Sequence, residues 1–219
     1  MHITIIAKTP VPGLVKTRLC PPCTHEQAAA IARAGMLDTI EAIDGAFQVA
    51  RDATRTLLLD GDVETWMPAN WQVEPQRGDG LLERIRNGFY DLGPGIIVGM
   101  ETPHVAALLP DAIDHLLAGR NLLGLADDGG YWAIGLCARA AAQVDEVFGA
   151  IEMSTSTTGE QQLRRLQALG SETVLLPHAR DLDDYADLCA IAESDRGGRL
   201  GDLARQIVNL IDAELHERS

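Results

Sequence analysis

The chain has 219 residues, is 46% hydrophobic and carries a formal net charge of −14. That length can bury a sizeable core, and the acidic balance argues against a general nucleic-acid binder or a protein held on an anionic membrane surface. No apolar run approaches the roughly 20 residues of a membrane span, and the apolar start lacks a basic flank and a cleavage site, so a cytoplasmic protein is expected.

Residues 2–7 form a short β-branched run and read as a buried strand. The loop over 8–23 follows. Thr24 and Gln27 form a capping box for a helix running through Ile31, Met36 and Ile40 to about Ala46. Thr54–Leu59 is a second strand, ended by Asp60, Gly61 and Asp62. Residues 62–75 are weakly patterned, with a short strand at Trp71–Val73. A turn-rich loop over Gln76–Gly80 leads into a helix with Leu81, Ile85 and Phe89 on one face.

Gly95–Met100 is another apolar strand with Glu101 at its end. Thr102 reads as the N-cap and Pro103 as the first residue of a helix reaching Leu117. Asn121–Leu125 and Tyr131–Leu136 are strands around a turn at Asp127–Gly130. A helix is expected over Ala140–Phe148, and a second capping box, Thr157 with Glu160, before a helix carrying Leu163, Leu166 and Leu169. Thr173–Leu176 is the last strand. Asp181, Asp183 and Asp184 precede a helix through Leu188 and Ile191. A break at Arg196–Gly198 leads to a final helix with a stripe of Leu200, Leu203, Ile207, Leu210 and Leu215. Alternation of strands and helices predicts an α/β fold with a mainly parallel sheet and ligands at the carboxyl ends of its strands. One domain over 1–219 is expected, with a core over about 2–195 and the C-terminal helix over about 200–216.

Several stretches carry a chemical reading beside a plain one. Sixteen of the eighteen Lys and Arg residues are arginines, and both lysines, Lys8 and Lys16, lie in the loop after the first strand. Lysine is a compact point charge suited to phosphate oxygen. With Gly13 and Arg18, the loop is a candidate phosphate site, or else a solvated basic turn. Glu101 is a candidate Mg²⁺ ligand or a carboxylate favoured by a helix N-terminus. Asp127 and Asp128 head a hairpin turn that can also present carboxylates to a ligand. Asp181, Asp183 and Asp184 are a helix cap or a metal-binding cluster. The hydroxyls of Ser154–Thr158 are a cap and loop, or a surface for phosphate or sugar. Cys20 and Cys23 are spaced as in redox and zinc motifs but without the partners either needs, and read as a loop pair.

The stretch from Ala7 to Leu19, with Lys8, Gly13, Lys16 and Arg18, resembles the opening of a bacterial family of glycosyltransferase-A-fold proteins. These are the selenodomain-associated transferases, relatives of phospholactate guanylyltransferases and molybdenum-cofactor nucleotidyltransferases. Asp127–Leu136 resembles the family's second signature and Asp181–Asp183 its third. The resemblance implies a single Rossmann-like glycosyltransferase-A domain, a nucleotide or nucleotide-sugar donor, an acceptor, and Mg²⁺ or Mn²⁺. Carried over, Lys8, Gly13, Lys16 and Arg18 bind phosphate, with Arg84 near the nucleotide; Glu101 and Asp183 are metal ligands. Asp127 or Asp128 would orient or deprotonate an acceptor hydroxyl. The family pattern has Asp where this chain has Glu101, and Gly where it has Leu82. Three activities are compatible with this: glycosyl transfer, nucleotidyl transfer to a phosphorylated acceptor, and non-catalytic nucleotide or sugar binding. The last helix is either a homodimer face or a core cover.

Overall fold

The computed structural model describes residues 1–46, 53–194 and 197–217, excepting the side chains of Leu215 and Glu217. Two expected features, Arg196 of the break and the Leu215 side chain of the last stripe, lie outside the described residues. Seven strands form one sheet: β1 (His2–Lys8), β2 (Thr54–Asp60), β3 (Gln72–Pro75), β4 (Gly95–Gly99), β5 (Asn121–Ala126), β6 (Tyr131–Leu136) and β7 (Thr173–Ala179). Their order is β3-β2-β1-β4-β6-β5-β7. Every pairing is parallel except those of β6, which runs against both β4 and β5. The expected mainly parallel α/β sheet is therefore present. Its carboxyl edge gathers the ends of β1, β2, β4, β5 and β7 and the start of β6.

The helices are α1 (His25–Ala46), α2 (Leu81–Leu92), α3 (Val105–Leu117), α4 (Ala138–Ala141), α5 (Val144–Val147), α6 (Thr158–Ala168), α7 (Tyr185–Glu193) and α8 (Gly198–Glu217). Ile3, Thr4 and Ile5 of β1 are fully buried, which is why a central parallel strand reads as a continuous apolar run. One face of the sheet packs Ile3, Ile5, Ile96 and Val98 against α1 and α3 through Met36, Ile40 and Leu109. The other packs Ile97, Leu123 and Ile134 against α2, α5 and α6 through Phe89, Val147 and Leu166. A third cluster joins α1 to α7 and α8 through Ile31, Leu188, Leu200 and Ile207.

The Thr24 and Gln27 box forms: each backbone N–H is held by the other's side chain, at 2.8 and 3.2 Å. Asp184 caps α7 with Asp187 as its partner. Four local expectations fail for identifiable reasons. Thr102 does not cap α3: its hydroxyl donates back to the Gly99 carbonyl at 2.8 Å, and the helix starts at Val105. Thr157 and Glu160 form no box, because Thr157 Oγ1 accepts from Gln161 and the Glu160 carboxylate pairs with Arg164. The helix expected over Ala140–Phe148 breaks at Gln143 (φ −125°), giving α4 and α5; Ala140, Val144, Val147 and Phe148 still bury in one cluster, so helical spacing hid the break. In α8 the buried stripe is Leu200, Ala204, Ile207 and Ile211, whereas Leu210 is half exposed. That stripe covers α1, so the helix serves as a core cover. Cys23 is buried and its thiol is pushed up to about 11 by burial, which fits a loop pair and not redox chemistry.

Candidate active site

The β1 loop is built around two left-handed backbone positions. Gly13 sits at φ +79°, where glycine carries no side-chain penalty. Lys16 sits at φ +47°, ψ +37°, which an L-residue with a Cβ adopts at a cost. Flanking Val15 and Leu19 are buried and anchor the loop. The result aims the Lys16 ammonium inward. It lies 2.6 Å from Glu101 Oε2, with the lysine side chain 18% and the glutamate side chain 11% exposed. The same ammonium donates to the Leu182 carbonyl in the loop after β7. A residue expected to bind phosphate and one expected to bind metal are thus each other's ion-pair partner.

Glu101 is held from behind by α1. Thr39 Oγ1 lies within hydrogen-bond reach of both Met100 O (3.1 Å) and Gly35 O (2.9 Å). A Cβ on Gly35 would stand 2.7 Å from Glu101 Cγ. The helix therefore needs a glycine there for the glutamate to enter. Arg18 is exposed and reaches Asp183 Oδ2 at 3.3 Å.

Lys8 and Arg84 form a separate cluster at the end of β2. Lys8 lies 3.7 Å from Asp60 Oδ2, and Arg84 pairs with the same oxygen and with Gln76 Oε1. The Arg84 guanidinium, then Lys8, hold the Asp60 carboxyl below its usual range. Gln76 in turn donates to the Ala7 and Leu58 carbonyls and straps the ends of β1 and β2. Arg84 thus sits at the β2 edge, paired with Asp60, and does not line the cavities beside Lys16.

The turn between β5 and β6 separates the two expected acceptor carboxylates. Asp128 Oδ1 accepts from the Gly130 N–H at 2.8 Å and borders a cavity with Asp181 and Asp183. Asp127 points elsewhere, with Oδ1 3.8 Å from His178 Nδ1. Asp181 is the residue the motif reading left out of its site. It borders both the cavity of about 270 Å³ that holds Lys16 and Glu101 and the cavity of about 330 Å³ beside Asp128. Its carboxyl is pushed up to about 6, chiefly by burial and then by Asp128 and Asp183. The signal lay in the capping arithmetic. Asp184 takes the cap and Asp187 completes it, which leaves Asp181 and Asp183 for another task.

Mg²⁺ and Mn²⁺ take hard carboxylate oxygens, and Glu101, Asp181 and Asp183 are of that kind. Their arrangement does not fit a bound ion. Lys16 occupies one Glu101 oxygen, Arg18 faces Asp183, and among the described residues no three acidic, His or Cys side chains converge with metal-holding geometry. An ion at Glu101 has to displace the Lys16 ammonium.

A mostly parallel sheet with helices on both faces and charged loops at its carboxyl edge is the architecture of the nucleotide-diphospho-sugar transferases. The crystal structure of a candidate nucleotide-diphospho-sugar transferase from Desulfovibrio desulfuricans G20 superposes with a TM-score of 0.82, covering 97% of this chain and 98% of that one at 24% identity. The chain belongs to the bacterial family described as "Uncharacterized protein conserved in bacteria (DUF2064)", whose profile matches residues 36–155. That stretch includes Arg84, Glu101, Asp127 and Asp128 and excludes Lys16 and Asp181. Two further structures share less. Rv0371c from Mycobacterium tuberculosis H37Rv has a TM-score of 0.49 at 16% identity, covering 89% of this chain and 98% of that one. A cytidylyltransferase from Leptospira borgpetersenii serovar Hardjo-bovis (strain JB197) has 0.48 at 13%, covering 95% and 93%. Neither of these two bears on function. No curated protein matches significantly.

Proposed function

We propose that this protein is a transferase acting on a nucleotide-linked donor, with glycosyl transfer from a nucleotide-diphospho-sugar as the first reading. The observation that supports it most is the meeting of Lys16 with Glu101, Asp181 and Asp183 at the carboxyl edge of the sheet, the usual ligand position in this architecture. The Desulfovibrio desulfuricans structure, that of a candidate nucleotide-diphospho-sugar transferase, supports the reading through its shared fold.

In this reading the donor diphosphate lies along the β1 loop. Lys8 and Arg18, both exposed on that loop, neutralise its outer oxygens. The bond from the sugar's anomeric carbon to the diphosphate oxygen breaks, and negative charge grows on the departing diphosphate. In this reading Lys16, held in place by Glu101 and the Leu182 carbonyl, supplies preorganised positive charge beside that oxygen, and charge of this kind is usually the largest single contribution to rate. The acceptor hydroxyl attacks the anomeric carbon, and its proton passes to a carboxylate of the neighbouring cavity, where Asp128 and Asp181 stand.

Isothermal titration with UDP-glucose, GDP-mannose, GTP and CTP, each with EDTA and with Mn²⁺, tests the reading. A nucleotide sugar should bind most tightly, and Arg18→Ala should weaken it at least tenfold. Preference for a triphosphate, with pyrophosphate released when acceptor is added, makes the protein a nucleotidyltransferase instead. Binding without turnover leaves a nucleotide-binding protein, and no nucleotide binding overturns the phosphate site itself.

A further inference from the structure

Next to the lysine cavity lies a second one of about 330 Å³ whose lining has a different chemistry. That volume is at the small end of ligand pockets, which run from about 300 to 1,000 Å³. Three carboxylates border it, Asp128, Asp181 and Asp183, against one cation, Arg18. Arg18 is already turned to Asp183. The opposite wall is the hydroxyl loop, with Ser154, Thr155, Ser156 and Thr158. Thr155 and Thr158 bond to each other, and Thr158 also donates to the Glu152 carbonyl. The hydroxyls of Ser154 and Ser156 make no such bond among the described residues.

Two features show that these walls are fixed against each other. Gly159 N–H donates to the Gly129 carbonyl at 2.8 Å. A Cβ on Gly129 would stand 2.1 Å from the Ser156 carbonyl oxygen. The hairpin that carries Asp128 and the loop that carries Ser156 are therefore locked together. Tyr131 supplies an independent sign of a missing partner. It borders both this cavity and the lysine cavity. Its hydroxyl is buried and has no hydrogen-bond partner among the described residues, a state that native structures seldom leave unexplained.

We infer that this cavity is the acceptor pocket and that it takes an uncharged polyhydroxylated molecule, a monosaccharide or polyol, and not a phosphorylated one. Carboxylates accept hydrogen bonds from ligand hydroxyls, and serine hydroxyls both donate and accept, so the lining matches a ring of hydroxyls. A phosphate monoester carries close to two negative charges. It would face three carboxylates across a small, partly desolvated space, where like charges repel strongly. The name acceptor rests on the donor reading above; the ligand class rests on the lining alone.

Saturation-transfer NMR and calorimetry decide it, with glucose, N-acetylglucosamine, myo-inositol and glucose 6-phosphate as probes. Each is run with EDTA and with Mg²⁺, alone and with saturating UDP. At least one neutral probe should bind, and glucose 6-phosphate should bind at least tenfold more weakly than glucose. Tyr131→Phe and Ser156→Ala should each weaken the neutral probe at least fivefold. Tyr131→Phe should melt no lower than the parent protein, since it removes an unsatisfied hydroxyl, and that separates a binding role from a structural one. The inference is overturned if no neutral probe binds under any condition, if the phosphate ester binds as tightly or tighter, or if neither variant alters binding. UDP binding without a neutral probe overturns this inference and leaves the donor reading standing. A neutral probe bound without any nucleotide supports the pocket and overturns the donor reading.

Discussion

The two halves of the sheet end in opposite chemistry. The parallel half, β3 to β4, finishes in cations: Lys8, Lys16 and Arg18 on the β1 loop and Arg84 on α2. The other half, β6, β5 and β7, finishes in Asp127, Asp128, Asp181 and Asp183 with a wall of hydroxyls. Lys16 and Glu101 are joined at the seam. The contrast teaches that an acidic protein can still gather positive charge at one place by concentrating its few lysines in one loop. Most of the carboxylates at this edge lie a strand or two away, in the half proposed above to take a hydroxylated partner.

The largest expected effect comes from breaking the seam. Lys16→Ala should lower nucleotide affinity at least a hundredfold in calorimetry. It also takes the Lys16 ammonium away from a largely buried carboxylate, which costs about 3 kcal/mol of stability by urea unfolding. Lys16→Met with Glu101→Gln should recover most of that stability and none of the affinity. Because Lys16 holds the Glu101 oxygen an ion would need, the parent should bind Mn²⁺ weakly, and Lys16→Ala should tighten that binding about tenfold, read by electron paramagnetic resonance.

The acidic half is sharpened by treating its two turn carboxylates separately. Asp128→Asn should depress turnover about a hundredfold with donor affinity little changed. Asp127→Asn, on the far side of the turn beside His178, should leave turnover within about twofold of the parent. Equal losses from both would erase the distinction the geometry draws between them.

The halves also respond to pH with opposite sign. In the parallel half His2 is buried and lowered to about 4, chiefly by desolvation, against an ordinary 6.5. Its Nε2 bonds the Gly93 carbonyl and its Nδ1 pairs with Thr4 Oγ1. The unfolded chain takes the proton more readily than the folded one, so this contribution is whole above pH 6.5 and is lost as the pH falls through 4. About 3 kcal/mol of unfolding free energy should go over that window, and His2→Asn should flatten it. Asp181 works the other way: raised from 3.8 to about 6, its contribution is present below 3.8 and is lost as the pH rises through 6. Asp181→Asn should therefore raise stability at neutral pH. A more modest loss is expected from Gly35→Ala, whose new methyl meets Glu101 Cγ. An overpacking cost of about 2 kcal/mol should appear in unfolding, with a few-fold loss of nucleotide affinity as the glutamate is displaced.

Much of this was legible in the chain. The apolar β-branched run of β1 could be little else than a buried strand, and the exclusive placement of both lysines marked the loop. The Thr24 and Gln27 box formed as its spacing allows, each side chain holding the other's backbone N–H. The identically spaced Thr157 and Glu160 failed because Gln161 and Arg164, each one helical turn on, take their side chains instead. Spacing specifies which groups can meet, not which partner wins. The ion pair of Lys16 with Glu101 was illegible for another reason: it joins residues 16 and 101 through a left-handed backbone position and a glycine on α1, neither of which leaves a periodic trace. Asp181 stood beside Asp183 and Asp184 as a helix cap or a metal-binding cluster, and sequence position does not say which of the three takes the cap and which turns to a cavity.

The bond from Lys16 to the Leu182 carbonyl spans 166 positions of sequence, and this has a consequence for the order of synthesis. The lysine leaves the ribosome early and its carbonyl late. Until the segment after β7 emerges, the β1 loop lacks that anchor, whatever else has folded. The Lys16 anchorage is therefore among the last contacts of the nascent chain to be completed, and a chain halted before Leu182 keeps Lys16 on Glu101 alone.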